Sequence, residues 1–131
     1  MIVDASAILS VVLLEDDAEH MSQQFKKHVG ELRISVVNQW EVWARIERSD
    51  DSLDHKALAR FESNVSIQYI EVDLQQTHLA REAWAQYGKG SGHKAQLNFG
   101  DCFAYALSKA LDEPLLFKGK DFIQTDVRSA L

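Results

Sequence analysis

The segment MIVDASAILSVVLL, residues 1–14, decides the predicted fold. Its first four residues form an apolar, β-prone run that ends at an acid, as expected of a buried parallel strand. The residues from Ala5 to Leu14 follow with a helical pattern. A strand that passes directly into a helix is the start of a strand–helix–strand unit, and repetition of that unit builds a parallel sheet.

The apolar run at residues 7–14 also requires a check for a signal peptide or a membrane span. No basic residue precedes it, and Glu15-Asp16-Asp17 follows it without a small-residue cleavage pattern. The run is too short to cross a bilayer. The single cysteine, Cys102, cannot form an internal disulfide, so we expect a cytoplasmic protein with no membrane association.

The strand and helix patterns repeat along the rest of the chain. Besides Met1–Asp4, β-prone runs lie at Leu32–Val36, Ile67–Val72 and Pro114–Phe117. Helical patterns fill the gaps, at Ala18–Val29, Val37–Arg48, His55–Ser63, Gln75–Tyr87 and Phe99–Leu111. This order predicts an α/β fold, with a central parallel sheet and helices on both faces. Such folds place functional groups at the carboxyl ends of their strands.

Length and charge limit the organisation and the function classes. A chain of 131 residues with one proline and no repeat or linker predicts a single domain over residues 1–131. The net charge of −6 argues mildly against a protein that coats nucleic acid indiscriminately. The negative charge does not exclude an enzyme that acts on a phosphodiester, because carboxylates that bind divalent cations themselves make the net charge more negative.

Four acids are placed to meet at one edge of the predicted sheet. Asp4 and Asp121 follow the first and last strands, while Glu41 and Asp101 begin helices that leave the same edge. Carboxylates that converge repel one another unless a cation lies between them. Oxygen-only ligation favours Mg²⁺ or Mn²⁺, and such an ion can activate water for attack on phosphorus.

Each of the four acids also has a simpler, structural interpretation. Asp4 or Ser6 could cap the first helix, and Asp121 could cap a short terminal helix from Phe122. From Asp4 alone, the cap is slightly favoured.

The other two acids resemble parts of capping boxes. The patterns are Asn38-x-x-Glu41 and Asn98-x-x-Asp101, and Arg45 is also spaced for an ion pair with Glu41. Glu41 nevertheless lies close to the apolar stripe of its helix, where a carboxylate needs a partner. The residues alone leave this choice open.

Two acid-free basic segments lie near the candidate acids. One is YGKGSGHKAQLNFG at residues 87–100, and the other contains Lys118 and Lys120. Flexible basic loops beside carboxylates suit a phosphate backbone. An ordinary surface loop is an equal alternative for residues 87–100.

The ordered set of motifs resembles the PIN-domain ribonucleases, specifically the VapC toxins of bacterial VapBC toxin–antitoxin pairs. The matching segments are MIVDASAIL at 1–9, SVVNQWEV at 35–42 and YGKGSGHKAQLNFGDCFAYALSKALDEPLLFKGKDFIQTD at 87–126. The resemblance implies a PIN-like α/β/α sandwich and Mg²⁺- or Mn²⁺-dependent cleavage of structured RNA, such as tRNA or rRNA. It further implies a homodimer, and inhibition by a VapB-type antitoxin that places a basic side chain in the acidic pocket.

The resemblance assigns roles to individual residues. The family's catalytic and metal-binding acids fall on Asp4 in MIVDAS, Glu41 in NQWEV, Asp101 in NFGDC and Asp121 in KGKDF, and its small hydroxyl residue near the metal falls on Ser6.

The chain also has residues whose part in the site is less direct. Close relatives usually carry an acid where this chain has Lys120, which weakens the prediction of a second metal and leaves Lys120 to contact RNA or the antitoxin. Asn98 is a possible supporting residue. Asp126 is expected to be solvated, with a smaller chance of reaching a second metal.

Trp40, Trp43 and Trp84 complete the candidates. Their helices could offer aromatic surface for a dimer or an antitoxin, although core packing is the simpler interpretation of each tryptophan.

Two other functions are compatible with parts of the sequence. A phosphoacceptor receiver-like signalling domain would use Asp4, the acceptor Asp73 and Lys118, but it leaves Glu41 and Asp101 without a role. A non-catalytic binding module that keeps only the PIN fold is the third possibility, and Lys120 lends it slight support.

Overall fold

A parallel sheet of four very short strands forms the centre of the molecule. In a computed structural model, which describes residues 1–131, the strands are β1 (Ile2–Val3), β2 (Arg33–Ser35), β3 (Gln68–Ile70) and β4 (Leu115–Leu116). Their order across the sheet is β3-β2-β1-β4, and every neighbouring pair is parallel. All four predicted strands are therefore confirmed, each with shorter bounds than predicted.

Six helices connect and cover the strands. They are α1 (Ala5–Val12), α2 (Ala18–Lys27), α3 (Val36–Glu47), α4 (Ser52–Asn64), α5 (Leu74–Tyr87) and α6 (Phe99–Leu111), and a 3₁₀ turn follows at Phe122–Gln124. Each predicted helix is present. The largest difference is at α4, which begins three residues before the predicted His55 because the Asp51 side chain accepts a hydrogen bond from the Leu53 backbone N–H at 2.9 Å and caps the helix there.

Two hydrophobic clusters lie on opposite faces of the sheet. Successive residues of a strand point to opposite faces. Accordingly Val3 and Leu116 belong to a cluster with α1 to α4, whereas Ile2 and Leu115 belong to a cluster with α5 and α6. The predicted sandwich, with helices on both faces of a parallel sheet, is confirmed.

The carboxyl ends of β1 and β4 lie side by side. The backbone N–H of Asp4, the first residue after β1, donates to the carbonyl of Leu116, the last residue of β4, at 2.9 Å. Ser35 ends β2 and caps α3 at the same edge of the sheet. This edge therefore collects the residues that follow three of the four strands. No helix has the length and apolar character needed to cross a membrane.

The interpretation of the tryptophans as core residues is wrong. Trp40, Trp43 and Trp84 are 64%, 43% and 48% exposed. Trp43 packs edge-on against Tyr69, and its indole N–H donates to Glu62 Oε1 at 2.7 Å, which is how a surface tryptophan satisfies its polar atom.

Candidate functional site

Asp4 is both a helix cap and a buried acid. Its Oδ2 accepts hydrogen bonds from the Ser6 backbone N–H at 3.0 Å and from the Ser6 hydroxyl at 2.5 Å, which confirms the predicted cap of α1. The residue is only 4% exposed, and its Oδ1 is buried with no hydrogen-bond partner. Burial raises the pKa of Asp4, and the bonds from Ser6 offset this only in part. The cap uses one carboxylate oxygen and leaves the other unsatisfied.

Glu41 does not have the partners that its sequence context suggested. Ser35 caps α3, so the interpretation of Asn38 and Glu41 as a capping box is wrong. None of the ion pairs joins Glu41 to Arg45. Instead, the Asn38 side-chain amide donates to Glu41 Oε2 at 2.7 Å.

Burial and neighbouring charge make Glu41 an unusual carboxyl group. Burial, and to a smaller extent the charges of Asp4 and Asp101, raise the pKa of Glu41 to about 7, against the opposing effect of the bond from Asn38. Its carboxylate lies directly against Gly100, where an added Cβ would come within 1.9 Å of Oε1. Close packing against a bare glycine thus places this acid at the first turn of α6.

Asp101 is held by the capping box that its sequence predicts. Asn98 Oδ1 accepts from the Asp101 backbone N–H, and Asp101 Oδ2 accepts from the Asn98 backbone N–H, both at 2.9 Å. Burial and then the charge of Asp4 raise the pKa of Asp101 to about 7; Asp121 adds to the increase, while the Asn98 bond and the charge of Lys89 oppose it. Asn98 therefore positions Asp101.

The fold gathers the four predicted acids into one electrostatic cluster. Besides burial, the charges of Asp4 and Asp101 raise the pKa of Glu41. In the same way, the charges of Asp4 and Asp121 add to the effect of burial on the pKa of Asp101. Asp121 is exposed, and its side chain makes no cap bond to the 3₁₀ turn that follows, so the predicted capping role finds no support.

No basic side chain forms an ion pair with this cluster. None of the eight ion pairs includes one of the four acids. Buried and half-buried carboxylates without an ion-pair partner, together with the unsatisfied Oδ1 of Asp4, fit a site for a divalent cation with oxygen ligands. As the side chains stand, no three His, Cys, Asp or Glu residues form a ready-made set of metal ligands. The role of the four acids as ligands therefore stays a prediction.

Ser6 connects Asp4 to the end of β4. Its hydroxyl donates to Asp4 Oδ2 and accepts from the Lys118 backbone N–H at 3.0 Å. The small hydroxyl residue that the sequence placed near the site is thus part of its framework.

The Lys118 side chain is not free to form a basic patch with Lys120. Its Nζ lies 2.5 Å from Glu15, 2.9 Å from Asp16 and 3.2 Å from Asp17, and these acids raise its pKa. Lys120 is exposed and makes no ion pair.

The segment 88–98 is also more ordered than a flexible surface loop. The Lys89 N–H donates to the Leu97 carbonyl and the Leu97 N–H donates to the Tyr87 carbonyl, each at 2.9 Å, and both Ala95 and Leu97 are fully buried. These bonds hold Lys89 beside Asn98, the residue that caps α6, and therefore near Asp101.

Asp126 is bound rather than simply solvated. Its Oδ1 accepts from the Tyr105 hydroxyl at 2.8 Å and from the Tyr87 hydroxyl at 3.4 Å, and Lys109 Nζ lies 2.9 Å from Oδ2. The bond from Lys109 is the largest cause that lowers its pKa. These three donors give Asp126 a structural role, and nothing in its contacts supports a second ion there.

The sequence did not reveal Asn38 and Gly100 as parts of the site. Asn38 is fully buried inside α3 and donates both to Glu41 and to the Gly100 carbonyl. One signal was available: Ser35, at the end of a predicted strand, is a sufficient cap for α3, and this leaves Asn38 without a capping role.

The comparison with known proteins decides the family. The model of the PIN domain matches residues 1–128. The chain belongs to the PIN-domain family. It is 39% identical over 130 residues to ribonuclease VapC42 of Mycobacterium tuberculosis H37Rv, covering 99% of this chain and 98% of that protein. Ribonuclease VapC28 of the same strain is 39% identical over 131 residues, with 100% and 98% covered. The chain is accordingly a PIN-domain endoribonuclease toxin of the VapC type.

A solved structure supports the PIN fold independently. The crystal structure of Mycobacterium tuberculosis VapC20, described as a Sarcin-Ricin loop cleaving toxin, aligns with a TM-score of 0.69 over 96% of this chain and 95% of that one. The identity is 14%, so this likeness concerns the fold alone.

The receiver-like alternative does not fit this VapC-type structure. β3 lies at the edge of the sheet and β2 separates it from β1, so Asp73 does not follow a strand adjacent to that of Asp4. Asp73 caps α5 by accepting from the Gln76 N–H at 2.8 Å, and Lys118 is bound by three acids. The three residues that a receiver would require are therefore not brought together.

Proposed function

We propose that this VapC-type ribonuclease hydrolyses phosphodiester bonds in structured RNA of the tRNA or rRNA class, with Mg²⁺ or Mn²⁺ bound by Asp4, Glu41 and Asp101. PIN-domain VapC nucleases generally depend on a divalent metal, and the donor set here favours these two ions. The observation that carries the proposal is the cluster itself: burial and the charge of Asp4 raise the pKa of both Glu41 and Asp101, one oxygen of Asp4 is buried without a hydrogen-bond partner, and none of the four acids forms an ion pair.

The residues of the site have separable tasks. A bound divalent ion supplies an activated water and neutralises charge on the scissile phosphate. Asp4 and Asp101 are fixed by Ser6 and Asn98, so they are the best-ordered ligands. Asp121, exposed and free of a cap bond, orients the attacking water and accepts its proton.

In this proposal, the RNA backbone is contacted by lysines that form no ion pair. Lys89, Lys94 and Lys120 are exposed, and Lys89 is held near Asp101 by its backbone bonds to the segment before α6. Lysines contact phosphate oxygens without reading sequence, so these residues contribute affinity more than cleavage specificity.

The wider proposal follows the VapC family. The chain acts as one domain over residues 1–131 in the cytoplasm, forms a homodimer, and is inhibited by a VapB-type antitoxin whose basic side chain enters the acidic cluster. The exposed rings of Trp40 and Trp84 support a protein–protein contact, because aromatic side chains are enriched at interfaces.

The direct test is metal-dependent cleavage by the Asp101→Asn variant. The purified wild-type protein is expected to degrade RNA in the presence of Mn²⁺, and addition of EDTA should stop this degradation. Asp101→Asn should lower kcat by about 100-fold or more, since it removes a ligand charge while its side-chain oxygen can keep the cap. Circular dichroism should show an unchanged fold.

The matched control is Asp50→Asn, an exposed acid that makes no hydrogen bond or ion pair, and it should cleave like the wild type. Full activity of Asp101→Asn would contradict the proposal. Absence of any Mn²⁺-dependent degradation by the wild type would instead support a non-catalytic binding module.

A further inference from the structure

Asn38 occupies a position where asparagine is costly. It lies in the first turn of α3, three residues beyond the cap Ser35, and it is fully buried. Burying an asparagine amide costs free energy unless the amide is hydrogen-bonded. Ser35 already caps the helix, so capping does not explain the residue.

The side-chain amide of Asn38 joins two elements of the site. It donates to Glu41 Oε2 at 2.7 Å and to the carbonyl of Gly100 at 3.0 Å. Glu41 is one turn further along α3, whereas Gly100 directly precedes Asp101 in α6. One amide group therefore ties an acid of α3 to the backbone beside an acid of α6.

The surroundings of this bridge leave Glu41 little choice of position. The Glu41 carboxylate lies over Gly100, and Asn38 bonds one of its oxygens. The Asn38 Oδ1 is buried without a partner, as is the Oδ1 of Asp4. Buried acceptors without donors are rare in native proteins. Asn38 bonds Glu41, and the charge of Asp4 acts on Glu41, so these two free oxygens indicate a place for ordered water or a hydrated ion.

We propose that Asn38 is a positioning residue for the metal centre. It fixes the Glu41 carboxylate relative to Asp101 and thereby sets the affinity for the divalent ion. The inference rests on the proposed function, because it assumes that Glu41 and Asp101 share an ion. Residues that orient metal ligands typically change metal affinity by about 10- to 100-fold when they are replaced.

The test measures Mn²⁺ binding by isothermal titration calorimetry in the absence of RNA. Asn38→Ala is expected to weaken Mn²⁺ binding by about 10-fold or more. The matched control is Gln39→Ala: Gln39 is the next residue of α3, is also buried, and bonds to Glu62, away from the four acids. It should lower the melting temperature without changing the Mn²⁺ affinity. Asn38→Leu keeps the number and branching of the side-chain heavy atoms, and it replaces Asn38→Ala if that variant does not fold.

A double-mutant cycle shows whether Asn38 acts through Glu41. In the Glu41→Gln background, Asn38→Ala should cause little further loss of Mn²⁺ affinity. Wild-type affinity in the Asn38 variants, an equal loss in Gln39→Ala, or a fully additive loss in the double variant would each overturn the inference while leaving the proposed function intact. A wild-type protein that neither binds Mn²⁺ nor cleaves RNA would contradict the proposed function itself.

Discussion

Gly100 is the residue at which local conformation and chemistry are most directly linked. The three atoms nearest to an added Cβ at this position all belong to the carboxylate of Glu41, a side-chain end that can be displaced. At Gly88, by contrast, an added Cβ would come within 2.5 Å of the backbone carbonyl of Trp84, which cannot move without disturbing α5. Substitutions at these two glycines therefore separate the displacement of Glu41 from a loss of fold stability.

Gly100→Ala is expected to displace Glu41 and lower cleavage by about 10-fold or more, a loss typical of a misplaced metal ligand, with little change in melting temperature. Alanine is also a better helix residue than glycine, which offsets part of any strain. Gly88→Ala is expected to lower the melting temperature instead. Cleavage assays and thermal melts of both variants check the pair, and equal cleavage by Gly100→Ala and the wild type would contradict this reading of the Glu41 contact.

At the scale of single residues, the sequence predicted local contacts better than distant ones. The cap by Asp4 and the capping box of Asn98 and Asp101 involve neighbours within three residues, so their patterns are visible in the chain. The bond between Asn38 and Gly100 joins residues 62 positions apart, and no local pattern encodes it. The same limit applies to Lys118 and Glu15, which meet only after β4 is added beside β1.

Among the elements, the turn between α1 and α2 is fastened to the segment after β4. Lys118 binds Glu15, Asp16 and Asp17 of that turn through its side chain, and it donates to Ser6 through its backbone. The segment that leads to Asp121 is thus held from two sides.

Lys118→Met is expected to lower both the melting temperature and the cleavage rate. The variant leaves three neighbouring carboxylates without their counter-charge and loosens the path to Asp121. Lys120→Met is the control for stability, because Lys120 is exposed and makes no ion pair. The test compares the melting temperatures of the two variants at the same salt concentration. Equal values would contradict a stabilising role of the Lys118 contacts.

The ordered segment between α5 and α6 carries a separate prediction for RNA binding. Lys89→Gln should weaken RNA binding and reduce the salt dependence of the affinity by about one phosphate contact. Lys27→Gln, in the last turn of α2, should leave both unchanged. Fluorescence anisotropy with an RNA oligonucleotide over a range of salt concentrations measures this. An unchanged salt slope in Lys89→Gln would exclude a phosphate contact.

The elements themselves could be predicted because their signals are strong. Apolar runs and helical periodicity placed every strand and helix, while the ends moved by a few residues where a cap such as Asp51 decided them. The burial of the tryptophans was predicted wrongly. Periodicity identifies a helix, but it does not distinguish a buried aromatic stripe from an exposed one.

For the molecule as a whole, the acidic cluster makes stability depend on pH and metal. The pKa of Glu41 is raised from 4.5 to about 7 and that of Asp101 from 3.8 to about 7, so between these values the folded protein binds more protons than the unfolded chain. Metal-free protein should therefore become more stable as the pH falls from about 8 towards about 5.

Thermal melts in EDTA at about pH 8 and about pH 5.5 test this prediction through the linkage of protonation to folding. The melting temperature should be higher at the lower pH, by a smaller difference in Glu41→Gln. Mn²⁺ should raise the melting temperature most at the higher pH, where the carboxylates are charged. A metal-free protein that is more stable at the higher pH would contradict the raised pKa values of Glu41 and Asp101.

The alternation of Ile2 and Val3 between the two hydrophobic clusters has a consequence for chain length in β1. Side chains on a strand change face at every residue, so inserting a single amino acid between them would send one of the two apolar groups to the wrong layer. The same insertion would shift Asp4 out of step with Leu116. Length variation should therefore be tolerated in the surface connections and excluded from the first four residues.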